Sequence, residues 1–229
     1  GASTLYGAPG VGIKSFAPSG ARGLVLAAVL LLGFVLPYSS LEAAEMKILA
    51  VGDSLTAGYG LPKADGFTAQ LQNALRAEGR EVLVINAGVS GDTSAGGRAR
   101  LDWALADKPN TILLELGAND GLRGIDPKVT QENLDAILGK LTGLGIPVLF
   151  AGMRAPPNLG EEYGAEYRAV FKGLAAKYDV VFYPFFLDGV AGDPGLNQKD
   201  GIHPNAKGVA VIVTRILPAV YEVMARIAR

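Results

Sequence analysis

The chain has 229 residues, of which 49% are hydrophobic and 19% charged, so it can bury a core and is not globally disordered. Its 21 Lys+Arg against 22 Asp+Glu give a net charge of -1, which offers no basic field for nucleic acid. With no cysteine and a single histidine, His203, a disulfide scaffold, a thiolate metal site, a Cys nucleophile and zinc sites of two or three histidines are excluded, and no metal is expected.

Residues 1–44 read as an export signal. Lys14 and Arg22 precede the charge-free run GLVLAAVLLLGFVL at 23–36. That run is shorter than the ~20 apolar residues a helix needs to span a bilayer. Small residues follow, and a cut after Ala44 leaves Glu42 three residues upstream. The competing readings are an uncleaved anchor and an ordinary buried helix. With the signal removed no stable membrane span is expected, and the protein is expected to be periplasmic or secreted. Residues 45–229 read as one domain.

From Met46 on, apolar β-branched runs alternate with helical patterns. The runs are MKILAVG (46–52), EVLVINA (81–87), TILLELG (111–117), IPVLFAG (146–152) and VVFYP (180–184). Each is nearly continuous in apolar character, as in strands buried on both faces. Helices are expected over 67–79, 94–107, 127–145, 162–178 and 204–228, the last kinked or interrupted at Pro218. Five such alternations imply a five-stranded parallel sheet covered on both faces, with sites at the carboxyl ends of the strands.

Those strand exits hold the polar and glycine residues: Gly52-Asp53-Ser54-Leu55, Asn86 to Asp92, Gly117-Ala118-Asn119-Asp120, and, after a longer loop, Asp200-Gly201-Ile202-His203. A serine hydroxyl needs a base within hydrogen-bond reach, and the base needs an orienting group. His203 is the only imidazole available, and Asp200 lies three residues before it. A developing oxyanion needs donors, which glycine-rich exits and side-chain amides supply; Gly88 and Asn119 stand where such donors are wanted. Taken singly, each feature is an ordinary loop, cap or turn. One per strand exit is a different matter.

In this arrangement the sequence resembles the SGNH-hydrolase (GDSL) family of esterases and lipases. Four blocks match in order: GDSL at 52–55, NAGVSGDT at 86–93, GAND at 117–120 and DGIHP at 200–204. The longer stretches GDSLTAGYGLP (52–62) and NAGVSGDTSAGG (86–97) are most similar to its bacterial thioesterase I / arylesterase branch. The resemblance implies a flavodoxin-like three-layer α/β/α sandwich. It implies Ser54 as nucleophile, His203 as general base and then acid, and Asp200 as its orienting group. The backbone N–H groups of Ser54 and Gly88 and the amide of Asn119 would form the oxyanion hole. The third block reads GAND where many relatives have GGND, and Asn119 is kept. DGLRG (120–124) corresponds to the family's mobile loop, which makes Leu122 a candidate substrate contact.

Neither Ser54 nor Ser90 fits the G-x-S-x-G turn of α/β-hydrolases, and dinucleotide and P-loop fingerprints are absent, so no cofactor is expected. Asp53 and Asp92 are expected to hold loops through backbone N–H groups. Glu115, inside an apolar strand, needs a partner, for which Arg98 and Arg100 are candidates. Trp103 is expected to pack in the core. Most of Phe182, Tyr183, Phe185 and Phe186 should pack under the sheet, with one free to touch substrate. The function expected is a serine esterase acting on short- to medium-chain esters, aryl esters and acyl thioesters through an acyl-enzyme. Carbohydrate deacetylation by the same residues is the alternative, followed by an exported binding protein that keeps only the fold. The partner is a small-molecule ester or thioester, not nucleic acid or a membrane, and no oligomeric state is assigned.

Overall fold

Uninterrupted Val, Ile and Leu runs build the sheet. The computed structural model describes residues 45–227, and the segment read as an export signal lies outside them. The strands are β1 Met46–Gly52, β2 Val82–Gly88, β3 Thr111–Glu115, β4 Val148–Ala151 and β5 Val181–Tyr183. All pair in parallel in the order β2-β1-β3-β4-β5, the order of flavodoxin-like sheets. β3 and β4 are buried at every residue, whereas edge strand β2 alternates.

Three strands are shorter than their apolar runs, for local reasons. β3 stops before Gly117, whose φ of 111° lies outside the strand region. β4 starts after Pro147, which has no N–H to donate. Ile146 instead donates its N–H to Leu141 O at 3.1 Å, closing the preceding helix.

The helices are α1 Ser54–Ala57, α2 Phe67–Ala77, α3 Ser94–Ala104, α4 Ala118–Leu122, α5 Pro127–Gly143, α6 Glu161–Tyr178 and α7 Ala206–Ile227. α2 and α7 pack together on one face of the sheet, and α3, α5 and α6 on the other. α1 and α4 have no counterpart in the sequence pattern, because one turn is too short to show a period. α5 starts as its sequence suggests, with the Asp126 side chain accepting from Lys128 N at 2.9 Å and Pro127 in the first turn.

α7 is not interrupted at Pro218. Pro218 and Thr214, whose carbonyl loses its i+4 donor, are both on the solvent face, where that carbonyl is open to water. By length and composition α7 could cross a membrane, but Val209, Ile212, Val213, Ile216, Val220 and Val223 are buried in the core.

Trp103 is not a core residue; it is 76% exposed. α3 buries Ser94, Gly97, Leu101 and Ala104, one stripe at helical spacing, and Trp103 falls on the opposite side. Gly97 lets α3 approach the sheet, since a Cβ there would stand 2.2 Å from Leu116 Cδ1. Of the expected aromatic group, Phe186 is buried edge-on against Phe67 and Phe182 packs on Phe150.

Candidate active site

β1 has β2 on one side and β3 on the other, so the chain leaves its carboxyl end toward opposite faces and opens a crevice there. Ser54 begins α1 directly after β1, Asn119 lies in α4 after β3, and loop 89–93 follows β2. Asp200 and His203 enter from the irregular segment before α7.

The side chains line up across this crevice. Ser54 Oγ is 2.9 Å from His203 Nε2, and His203 Nδ1 is 2.8 Å from Asp200 Oδ2. The other carboxylate oxygen, Asp200 Oδ1, accepts from Ile202 N at 3.1 Å and His203 N at 3.0 Å. These donors, the backbone N–H of His203 first and its ring second, hold the Asp200 carboxyl below its usual 3.8, to about 2. It therefore stays ionised over any working pH. Its contribution to the loop is lost only as pH falls from about 3.8 toward about 2.

Two residues that the sequence pattern does not mark tie this loop down. The Tyr59 ring lies 4.6 Å from the His203 ring, centroid to centroid. Gln198 donates its side-chain amide to Tyr59 O (2.8 Å) and Pro204 O (3.0 Å), and its backbone N–H to His203 O (2.7 Å). One side chain thus joins the turn after Ser54 to the loop of His203. Because its partners are all backbone oxygens, no residue pattern announces it.

Asn119 Nδ2 donates to Asp92 O at 2.9 Å and to Asp53 Oδ2 at 3.3 Å. Its neighbour Asp120 is buried and accepts from Ser94 N at 2.8 Å and Thr130 Oγ1 at 3.2 Å, fixing α4 against α3 and α5.

The N–H of Gly88, expected as an oxyanion donor, is engaged elsewhere. It donates to Asn86 Oδ1 at 2.9 Å. Gly88 lines a separate groove behind α1 with Ala57 and Asn86, and a Cβ there would stand 2.3 Å from Ala57 N. Gly88 is a contact glycine that lets α1 lie on β2. Gly91, three residues on, has φ 86° and an N–H without a hydrogen-bond partner among the described residues. Its carbonyl accepts from Arg123 Nη2 at 2.9 Å. The glycine-rich block offers several donors, and only the fold tells which is already engaged.

Asp53 accepts from Leu55 N at 3.0 Å and caps α1, as expected. Asp92 instead pairs with Arg100 at 2.5 Å, and Arg100 also donates to Gly52 O at 2.9 Å. Arg98 reaches Asn133 Oδ1 at 3.3 Å. Glu115 therefore has neither arginine as partner. Fully buried under the nucleophile turn, it accepts from Thr56 Oγ1 at 2.7 Å and Asp53 N at 3.4 Å, and its Oε1 has no partner. Burial first, then the adjacent Asp53 carboxylate, pushes the Glu115 carboxyl well above its usual value, and burial lifts Asp53 to about 6. Of the two, Asp53 is better placed to hold a charge, since it accepts from both Leu55 N and the Asn119 amide, while burial and the Asp53 carboxylate both favour the neutral form of Glu115.

A neutral Glu115 makes Gln a close substitute. Its folded value lies above 4.5, so its stabilising contribution is full below that pH and is lost as pH rises through the folded value. Glu115→Gln has no proton to lose. Its melting temperature should gain on the wild type as pH rises from about 5 to about 9. A gap that moves the other way would mean an ionised, productively paired Glu115.

The cleft at Ser54 and His203 has a volume of about 410 Å³ and is walled by Leu122, Met153, Pro156, Phe185 and Ile202. Leu122 is 48% exposed at its rim. Phe185 is the member of the aromatic group that faces the cleft.

The chain is similar to known proteins. The model of the GDSL-like Lipase/Acylhydrolase family matches residues 50–211. The chain is 46% identical over 164 residues to "Esterase TesA" of Pseudomonas aeruginosa, covering 71% of this chain and 82% of the relative. It is 39% identical over 164 residues to "Thioesterase 1/protease 1/lysophospholipase L1" of Escherichia coli strain K12, covering 71% and 77%. A crystal structure of TesA superposes with a TM-score of 0.74 at 41% identity, over 78% of this chain and 99% of that one.

Proposed function

The chain belongs to the GDSL-like Lipase/Acylhydrolase family, and from that premise we propose how its residues divide the work of ester hydrolysis. It is a serine esterase. The observation that carries the assignment of roles is the continuous line Ser54 Oγ, His203 Nε2, His203 Nδ1, Asp200 Oδ2, with links of 2.9 and 2.8 Å.

In this reading Ser54 Oγ attacks the acyl carbon while His203 Nε2 takes its proton. The tetrahedral adduct collapses, the C–O or C–S bond breaks, and His203 returns the proton to the leaving group. Water then attacks the Ser54 ester by the same route and releases the acid. Asp200 holds the ring so that Nε2, not Nδ1, carries the lone pair toward serine.

The oxyanion is met by the N–H of Ser54 and the amide of Asn119. The N–H of Gly91 takes the third place in the proposal, since that of Gly88 is engaged. The longer bond of Asn119, to Asp53, is the one an oxyanion competes for. Asn119→Ala should lower kcat by about 10²–10³ with KM little changed, the loss typical of one oxyanion donor. A loss confined to KM would remove Asn119 from this role.

The open, largely apolar cleft suits short to medium acyl groups on alcohols, phenols or thiols, in keeping with relatives named esterase and thioesterase. The test is one preparation assayed on p-nitrophenyl esters from acetyl to dodecanoyl, on an acyl-CoA and on an acetylated sugar. The highest kcat/KM is expected on a short or medium ester. A clear preference for the acetylated sugar would move the protein to deacetylation. We assign the catalytic domain to 45–229 and read 1–44 as an export signal that delivers it outside the cytoplasm; cell fractionation with and without 1–44 tests that assignment.

A further inference from the structure

Arg154 follows β4 and is, among the described residues, the only side chain of permanent charge in the wall of the cleft that holds Ser54 and His203. Its guanidinium carbon stands over the Phe185 ring, 4.4 Å from the centroid, with the side chain exposed to the cleft. Among the described residues it forms no ion pair. The other arginine near the cleft, Arg123, is taken by Gly91 O. Asp200, the acid of the facing loop, is committed to the imidazole.

A ring contact does not engage the N–H groups of a guanidinium, which lie along its edge. That edge is a planar fork, suited to two oxygens of one anion. Phe185 also restricts the side chain, so less freedom is lost when an anion arrives.

We propose that Arg154 is a specificity residue that grips an anionic oxygen group, phosphate or carboxylate, on the ester or thioester being hydrolysed. Preferred substrates then carry such a group on the acyl part or the leaving group. This rests on the ester-hydrolase reading and adds the chemistry of the substrate's second handle.

The experiment compares wild type, Arg154→Gln and Arg154→Lys at low ionic strength on three substrates. p-Nitrophenyl butyrate is neutral, butyryl-CoA carries phosphates on its leaving group, and mono-p-nitrophenyl succinate carries a carboxylate on its acyl part. In Arg154→Gln the ratio of kcat/KM on an anionic substrate to that on the neutral one should fall about tenfold, through KM rather than kcat. Lys should restore part of the ratio, because it keeps the charge but not the fork. Added salt should erode the wild-type preference. Whichever anionic substrate responds identifies the group that Arg154 meets. A ratio unchanged on both, or an equal loss on the neutral ester, overturns the proposal, since the arginine then only packs on Phe185. If the wild type cleaves none of the three, it is the ester-hydrolase reading that fails.

Discussion

Ser54→Ala is expected to lower kcat/KM on p-nitrophenyl esters by about 10⁴–10⁶ while leaving the fold unchanged. The size follows from the geometry, because His203 Nε2 has Ser54 Oγ at 2.9 Å as its partner. No other hydroxyl near the crevice is equally placed. Ser94 is buried and donates to Asp120, and Ser90 has no side-chain bond to a base. The substitution removes one oxygen from a half-buried position, so circular dichroism and melting temperature should match the wild type. Activity within tenfold of wild type would mean that the nucleophile lies elsewhere.

Asp200→Asn should be nearly as damaging, lowering kcat by about 10³–10⁴ although the side chain keeps its shape and loses only its charge. The two carboxylate oxygens have different tasks. Oδ1 accepts two backbone N–H groups, from Ile202 and His203, and Oδ2 accepts from the ring. An asparagine must keep its carbonyl oxygen toward the two N–H groups, so its NH₂ faces Nδ1. Nδ1 then becomes the acceptor, the ring proton moves to Nε2, and Nε2 can no longer take a proton from Ser54. KM should change little, since the cleft wall is untouched. Wild-type kcat in this variant would show that the ring's tautomer does not depend on Asp200.

The fold was legible where the signal is collective. Five apolar runs and the helices between them predict the layers, because burial on both faces leaves no room for alternation. What escaped is decided by single residues. Gly117 and Pro147 trim strands, and α1 and α4 are too short for periodicity. Pro218 is tolerated because its cost falls on the solvent side of α7, which the sequence does not display. Trp103 was misplaced because α3 is rich in glycine and alanine, so its buried stripe is faint and its large residue conspicuous.

The site divides the same way. Ser54, Asp200 and His203 stand out because one imidazole must serve and its carboxylate is close in sequence, and the structure brings the three together. Gly88 and Gly91 look alike in sequence, and only the engaged N–H of Gly88 separates them. Glu115 was assigned an arginine by charge alone. In the fold it meets a threonine hydroxyl and a backbone N–H, which suit a neutral acid. Tyr59 and Gln198 act through a ring face and backbone oxygens, contacts that leave no recognisable spacing.

The bond between Ser54 and His203 spans 149 positions of the chain, from the first strand to the threshold of the last helix. During synthesis Ser54 leaves the ribosome long before His203 exists. A chain that ends before the loop of His203 therefore has the serine without its imidazole partner. The last helix must dock before the His203 loop has a place to rest, and domains complete themselves in this way only when nearly all their residues are available. Hydrolysis by these three residues therefore requires a chain complete through His203.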